Sequence, residues 1–422
     1  MISASESPQL TPAFRYVLGL LAISIFINYI DRSNLSIAAP LLKDELGLSA
    51  SRLGVLLSAF FWTYSGCQLL AGWLVDRFEV KYVFAVGFLV WSSATAATGL
   101  LHSFAALVAV RVLLGAGESV AFPSYSKIIA SHLPEARRGF ANAMITVGLS
   151  LGPAVGLLFG AELVSRFGWR PFFLTLGLAG MLWLAPWFAW MPRTTVKAAS
   201  GGETQTFLAI VQQRSAWGTC LCLFCHNYFS YFILTWLPFY LVRERGFSLT
   251  QMARIAGGFF VFAAIFAGAG GWLSDRWIAS GASHASVRKG LLVGSYLAMG
   301  LMLGCSVVAA EPICIVCLSL AGAAFGVASP NLWAATQRLA GREAVGRWCG
   351  LQLLVGNFSG VVAPALTGYL VDRTAHFFWP FVLTSVVIWL GALSWLFVVG
   401  PIEPVAWRPA RTGALPAPEF VP

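Results

Sequence analysis

Charged residues are missing from long stretches of this chain, and the stretches recur along its whole length. Uncharged runs extend over Leu53 to Val75, Tyr82 to Leu101, Gly139 to Ala161, Pro171 to Pro192, Ser215 to Val242 and Ile255 to Ser274. They continue over Gly290 to Ala310, Pro312 to Gln337, Trp348 to Val371 and Thr374 to Ile402. A predominantly apolar run of about 18 residues or more makes a helix that spans the roughly 30 Å hydrocarbon core of a bilayer. Two further runs, Tyr16 to Leu42 and Phe104 to Ser126, have the same character but carry internal charges. The pattern predicts an all-α membrane protein with twelve transmembrane helices.

The longest polar connection, Arg193 to Arg214, is rich in Thr, Gly, Ser and Gln and falls after the sixth run. It predicts a bundle of six helices over residues 1–192, a connecting loop over 193–214, a second six-helix bundle over 215–402 and a tail over 403–422. The halves share a motif. Gly72-Trp-Leu-Val-Asp76-Arg77 follows the second run, and Gly271-Trp-Leu-Ser-Asp275-Arg276 follows the eighth. A repeat of this size predicts two bundles related by pseudosymmetry.

Composition agrees, with 58% hydrophobic and 10% charged residues among 422, against roughly a quarter charged in soluble domains. The formal charge of +10 reports topology. With both termini cytoplasmic, 17 of the 27 Lys and Arg face that side, eight face the other, and Arg32 and Arg111 lie within the membrane. Basic residues accumulate on the cytoplasmic side of short loops, so the chain is expected in the cell (inner or plasma) membrane with both ends inside. No soluble basic domain is available for nucleic acid. Met1 to Arg15 lacks a signal-peptide pattern, which predicts that the first helix is retained.

All eight cysteines lie inside predicted spans and read as packing residues. Cys222, Cys225 and His226 spell a haem-attachment signature, but inside a bilayer there is no exposed loop to carry the haem. Phosphate-binding G-x-x-x-x-G-K-[ST] and H-E-x-x-H patterns are absent from the sequence and His ligands are not clustered, so an ATP-driven pump and an enzyme are not expected. No catalytic or metal site is read, and no cofactor is expected beyond a proton as coupling ion. Two repeated bundles suit alternating access about a central site better than a pore.

Four charges stand where lipid would penalise them by about 2.5 kcal/mol or more each. They are Asp31 and Arg32 in the first span and Arg111 and Glu118 in the fourth. Arg111 and Glu118 are seven apart, within about 20° of one helix face and roughly 10 Å apart along the axis, so both can face one cavity. Asp31 and Arg32 diverge by about 100°, so Arg32 can face that cavity while Asp31 turns to a neighbouring helix. Two readings fit. The four can simply neutralise one another as structural ion pairs, or the guanidiniums can bind an anion while Asp31 and Glu118 carry protons.

The paired loop motifs, with Lys81, resemble the signature of the major facilitator superfamily over essentially the whole chain. That resemblance implies gating roles for Asp76, Arg77, Lys81, Asp275 and Arg276. Asn28-Tyr29-Ile-Asp31-Arg32-Ser-Asn-Leu35-Ser36-Ile-Ala38 and Arg111-x-x-x-Gly115-x-x-Glu118-x-x-x-Phe122-Pro123 resemble the anion:cation symporter family. Its members include bacterial hexonate, hexuronate and glucarate importers and the vesicular glutamate and sialic acid transporters. The resemblance implies proton-coupled symport of a small organic anion, a carboxylate such as a sugar acid, by a monomer in the lipid bilayer.

Carried over position by position, it makes Arg32 the carboxylate ligand, with Tyr29, Tyr64 and Asn357 bonding the substrate and Trp333 closing the pocket wall. Asp31 and Glu118 carry protons and Arg111 tunes Glu118. Leu149 departs from the polar amide of the sugar-acid importers. His226 stands where vesicular members carry Arg, which implies an extra proton or anion site, although a lone intramembrane His is also a common packing residue. Gly148-x-x-x-Gly152-Pro153-x-x-Gly156 distantly resembles an antiporter signature. It keeps open an alternative, an organic anion exchanger or a proton-coupled drug or metabolite exporter of the same fold.

Overall fold

The computed structural model describes residues 12–132, 135–192, 206–308 and 310–407. Residues 193–205 of the expected connection and 408–422 of the expected tail lie outside the described residues, as does the side chain of Asp76. No strand occurs among the described residues. Among the described residues, ten helices are long and apolar enough to cross a membrane. In chain order they are the first (Tyr16–Glu45), third (Val80–Thr98), fourth (Phe104–Ile129), sixth (Trp169–Trp190), seventh (Arg214–Arg243), eighth (Leu249–Ala279), ninth (His284–Val308), tenth (Glu311–Gly341), eleventh (Ala344–Thr374) and twelfth (Phe378–Val398). The second helix, Ala50–Gly66 followed by Gln68–Arg77, breaks at Cys67. The fifth, Glu135–Phe167, completes the expected twelve.

Short polar signals set the helix boundaries within this apolar chain. Ser49, Ser103 and Ser248 accept the backbone N–H groups of Arg52, Ala106 and Gln251, supplying partners that a first helical turn lacks. Gly341 has φ 64° and ψ 179°, a conformation that side chains with a Cβ resist. It separates the tenth helix from the eleventh without an intervening loop.

Helices one to six pack mainly on one another, as do seven to twelve. Between the halves, the second helix packs on the eleventh, the fifth on the eighth and the first on the seventh. The fold is therefore the predicted pair of six-helix bundles. The repeat also recurs as a bonding pattern. Lys81, opening the third helix, donates to the Phe188 and Met191 carbonyls at the end of the sixth, at 3.0 and 2.6 Å. Lys289, near the start of the ninth, donates to the Leu396 and Gly400 carbonyls at the end of the twelfth, each at 3.2 Å.

The two ends of the molecule differ. An even number of crossings puts residues 12 and 407, the ends of the described chain, at one end, and the far end is closed by bonds between the halves. Asp372 on the eleventh helix accepts the backbone N–H groups of Ala50 at 2.7 Å and Ser51 at 2.6 Å, which open the second. These are orphan donors at the positive end of a helix dipole. Arg243 pairs with Asp44 and donates to the Pro40 carbonyl at 3.0 Å. Backbone meets backbone nearby, because a Cβ on Gly54 would lie 2.5 Å from the Pro364 carbonyl oxygen and one on Gly368 would strike that of Ala50.

At the terminus-bearing end, the segments Gln68–Arg77 and Ala121–His132 pack within their own half. A cleft of about 620 Å³ lies between the second, seventh and eleventh helices, lined by residues including Trp62, Phe224 and Phe358. Asp275 pairs with Arg288 of its own half at 3.2 Å, while Arg276 lies 5.3 Å from the Trp272 ring. Arg77 is exposed.

Candidate functional site

The first and fifth helices approach closely because the fifth offers glycine where the first offers side chains. A Cβ on Gly148 would strike Ile25, one on Gly152 would lie 2.6 Å from the Tyr29 Cβ, and one on Gly156 would lie 2.5 Å from the Ser33 hydroxyl. Small residues of this kind let helix backbones meet within a membrane. Here they hold in place the segment of the first helix that carries Tyr29, Asp31 and Arg32.

Arg32 points into the first half and bonds Glu118 of the fourth helix, Nε to Oε2 at 3.0 Å, with both side chains almost wholly buried. Aromatic rings surround its guanidinium. The Tyr64 centroid lies 4.4 Å from its central carbon, Tyr29 at 4.6 Å and Phe60 at 5.2 Å. Such faces attract cations, more strongly when water is excluded. The pair is incompletely satisfied, since Arg32 Nη2 and Glu118 Oε1 are buried without a partner, as are both amide atoms of Asn28. A buried ion pair with orphaned atoms is poor structural glue and well suited to accept a further polar group.

Arg111 sits 5.5 Å from the same Phe60 ring, and its Nε has no partner. The cation bonded to Glu118 comes from the first helix, whereas helical spacing placed only Arg111 on the face of Glu118. Asp31 turns away from Arg32 and accepts Asn34 Nδ2 at 3.1 Å, and among the described residues it forms no ion pair.

The second half contributes Asn357, whose Oδ1 accepts the Tyr231 hydroxyl at 2.9 Å and Asn227 Nδ2 at 3.4 Å. Tyr231 reaches across to Phe61, ring centroids 4.3 Å apart, and lies within the electrostatic reach of Arg32. Trp333 is half-buried against the core of the second half, and Leu149, like Tyr29, packs against the core of the first. His226 is held as a core residue would be, bonded to Ser329 at 3.1 Å and stacked on Phe325 at 4.4 Å, but its Nδ1 has no partner. Sequence reasoning missed Phe60, Asn227 and Tyr231. Nothing distinguishes an aromatic in an apolar run until its neighbours are known, though Asn227 beside His226 in a span was a visible polar signal.

Two pseudosymmetric helical bundles, with a buried charged cluster halfway along their helices, define a polytopic membrane protein of the carrier class. The sequence matches the Major Facilitator Superfamily profile over residues 21–347 and 220–420. This chain belongs to the major facilitator superfamily. It is 32% identical over 401 residues to a protein of Cupriavidus necator named as a probable sulfoacetate transporter, covering 90% of this chain and 93% of that one. To a hexuronate transporter of Bacillus subtilis it is 30% identical, covering 94% and 97%. Among solved structures, a bacterial homologue of the human lysosomal transporter Spinster, inward-facing and occupied, superposes with a TM-score of 0.80 at 17% identity. That match covers 95% of this chain and 100% of the other, and shows the shared fold.

Proposed function

We propose that this protein moves a small organic anion across the cell membrane in symport with protons, by alternating access. The observation that carries the proposal is the Arg32–Glu118 pair, sealed from solvent in an aromatic cage with one guanidinium nitrogen and one carboxylate oxygen unengaged. An arriving carboxylate or sulfonate competes with Glu118 for the guanidinium. Once displaced, Glu118 is a buried carboxylate without its cation, a state that a proton neutralises. Anion binding and protonation thus favour each other through one side chain. The names of the two relatives, a sulfoacetate and a hexuronate transporter, support an anionic substrate.

In this reading Tyr29 and Tyr64 bond the substrate from the first half and Asn357 from the second, with Trp333 as wall. Asp31 is a second proton site and Arg111 holds the local field positive. The excess of basic residues supports a cytoplasmic terminus-bearing end, so the closed far end faces outward. The far-end bonds between halves fit one state of a rocking pair of bundles. Asp76, Arg77, Lys81, Asp275 and Arg276 would then gate the cytoplasmic end in the opposite state.

The test uses proteoliposomes with an imposed pH gradient. Wild type should concentrate a labelled anion when the gradient is inward. Glu118→Gln should retain counterflow exchange of that anion and lose proton-driven accumulation. A Glu118→Gln protein that still concentrates the anion along the gradient removes Glu118 from coupling.

A further inference from the structure

The orientation of Asn357 restricts what the second half can recognise. A side-chain amide offers one acceptor oxygen and one donor nitrogen. The Asn357 oxygen is engaged twice, by the Tyr231 hydroxyl at 2.9 Å and by Asn227 Nδ2 at 3.4 Å. Its nitrogen is bonded to nothing among the described residues, yet it is not among the sealed polar atoms. What Asn357 can present to a ligand is therefore a pair of N–H donors.

Tyr231 maintains that orientation. Its ring is fixed against Phe61 of the other half at 4.3 Å, and Phe61 lies 4.9 Å from Phe60, the ring shared by Arg32 and Arg111. Its hydroxyl is thus held on the Asn357 amide by a ring anchored in the other half. At the first pole, Arg32 Nη2 is also a donor without a partner, so the site donates hydrogen bonds from both halves.

We infer that Tyr231 is a positioning residue that fixes Asn357 as a donor, and that the transported anion carries a second hydrogen-bond acceptor opposite its anionic head. Carboxylate, sulfonate and carbonyl oxygens meet that requirement. An ammonium group does not, because it would face N–H donors and leave both sides unpaired. The inference rests on Arg32 being the anion site and adds the chemistry of the far pole.

Matched ligands test it: succinate, butyrate and 4-aminobutyrate, with their longer counterparts adipate, hexanoate and 6-aminohexanoate, titrated calorimetrically into purified full-length protein. At whichever length binds, the dicarboxylate should bind about tenfold or more tighter than the ω-amino acid. Tyr231→Phe should weaken the dicarboxylate about three- to tenfold more than the monocarboxylate, the effect of one mispositioned hydrogen bond. Asn357→Asp, which replaces the donors by acceptors, should reverse the order and favour the ω-amino acid. It also serves as the second variant should Tyr231→Phe fail to fold.

An ω-amino acid that binds wild type as tightly as its dicarboxylate overturns the inference, as does an unchanged dicarboxylate-to-monocarboxylate ratio in Tyr231→Phe. In both cases Arg32 survives as the anion site, provided that the monocarboxylate still loses its binding in Arg32→Ala. Failure of every anion to bind wild type overturns both readings together.

Discussion

A guanidinium halfway along a membrane-spanning helix persists only where other groups replace its water. Arg32 has one carboxylate and three aromatic faces around it. Phe60 is the one of those rings that Arg111 also approaches, so it bears on two cations at once. Phe60→Leu should therefore weaken anion binding about two- to thirtyfold, matching a cation–π contribution of about 0.5–2 kcal/mol. Equal affinity in wild type and variant would reduce Phe60 to packing. Arg32 and Glu118 were legible in the sequence because a charge in an apolar run is anomalous by itself. Their pairing was not, since spacing within the fourth helix relates Glu118 only to Arg111. Phe60 and Tyr231 were hidden for the opposite reason, as a chain with 32 Phe and ten Tyr gives no single ring a signal.

At the scale of helices, the site is positioned by what the fifth helix lacks. Gly152 admits Tyr29 so closely that any side chain there must displace the first helix, its Cβ lying 3.0 Å from the Phe26 carbonyl oxygen as well. Gly152→Val should destabilise the detergent-solubilised protein by about 1–3 kcal/mol, as overpacking does, and weaken anion binding with it. A variant with wild-type melting temperature and affinity would show that the two helices are not held by this contact. The glycine run was visible in the sequence and also resembled an antiporter signature, whereas the structure shows it as the groove for the site-bearing segment. Helix number and order were legible because desolvating charge is costly over a whole span. The break at Cys67 was not, because an interrupted helix with apolar residues on both sides leaves the hydropathy pattern intact.

At the scale of the whole molecule, the duplicated loop motif disclosed the two bundles, and the paired anchors of Lys81 and Lys289 show the repeat in bonding as well as in sequence. The far-end closure was illegible. Asp372 and Arg243 lie near helix ends, where charges are ordinarily solvated, and only the docked bundles turn them into bonds between halves. Asp372→Ala should shift the balance toward a state open at the far end by about three- to tenfold, the loss of two hydrogen bonds at an exposed site. Spin labels on the far ends of the second and eleventh helices would report this as a growing population of long distances, and an unchanged distribution would show that backbone packing alone holds that end. The central claim, that Arg32 receives an organic anion, is tested most directly by thermal stabilisation of purified protein. Sugar acids, aromatic acids, dicarboxylates and amino acids would be added at pH 5.5 and 7.5 to wild type and to Arg32→Ala. The account predicts one class of anion that stabilises wild type and leaves Arg32→Ala unmoved; stabilisation by neutral or cationic compounds alone, or by anions equally in both proteins, would contradict it.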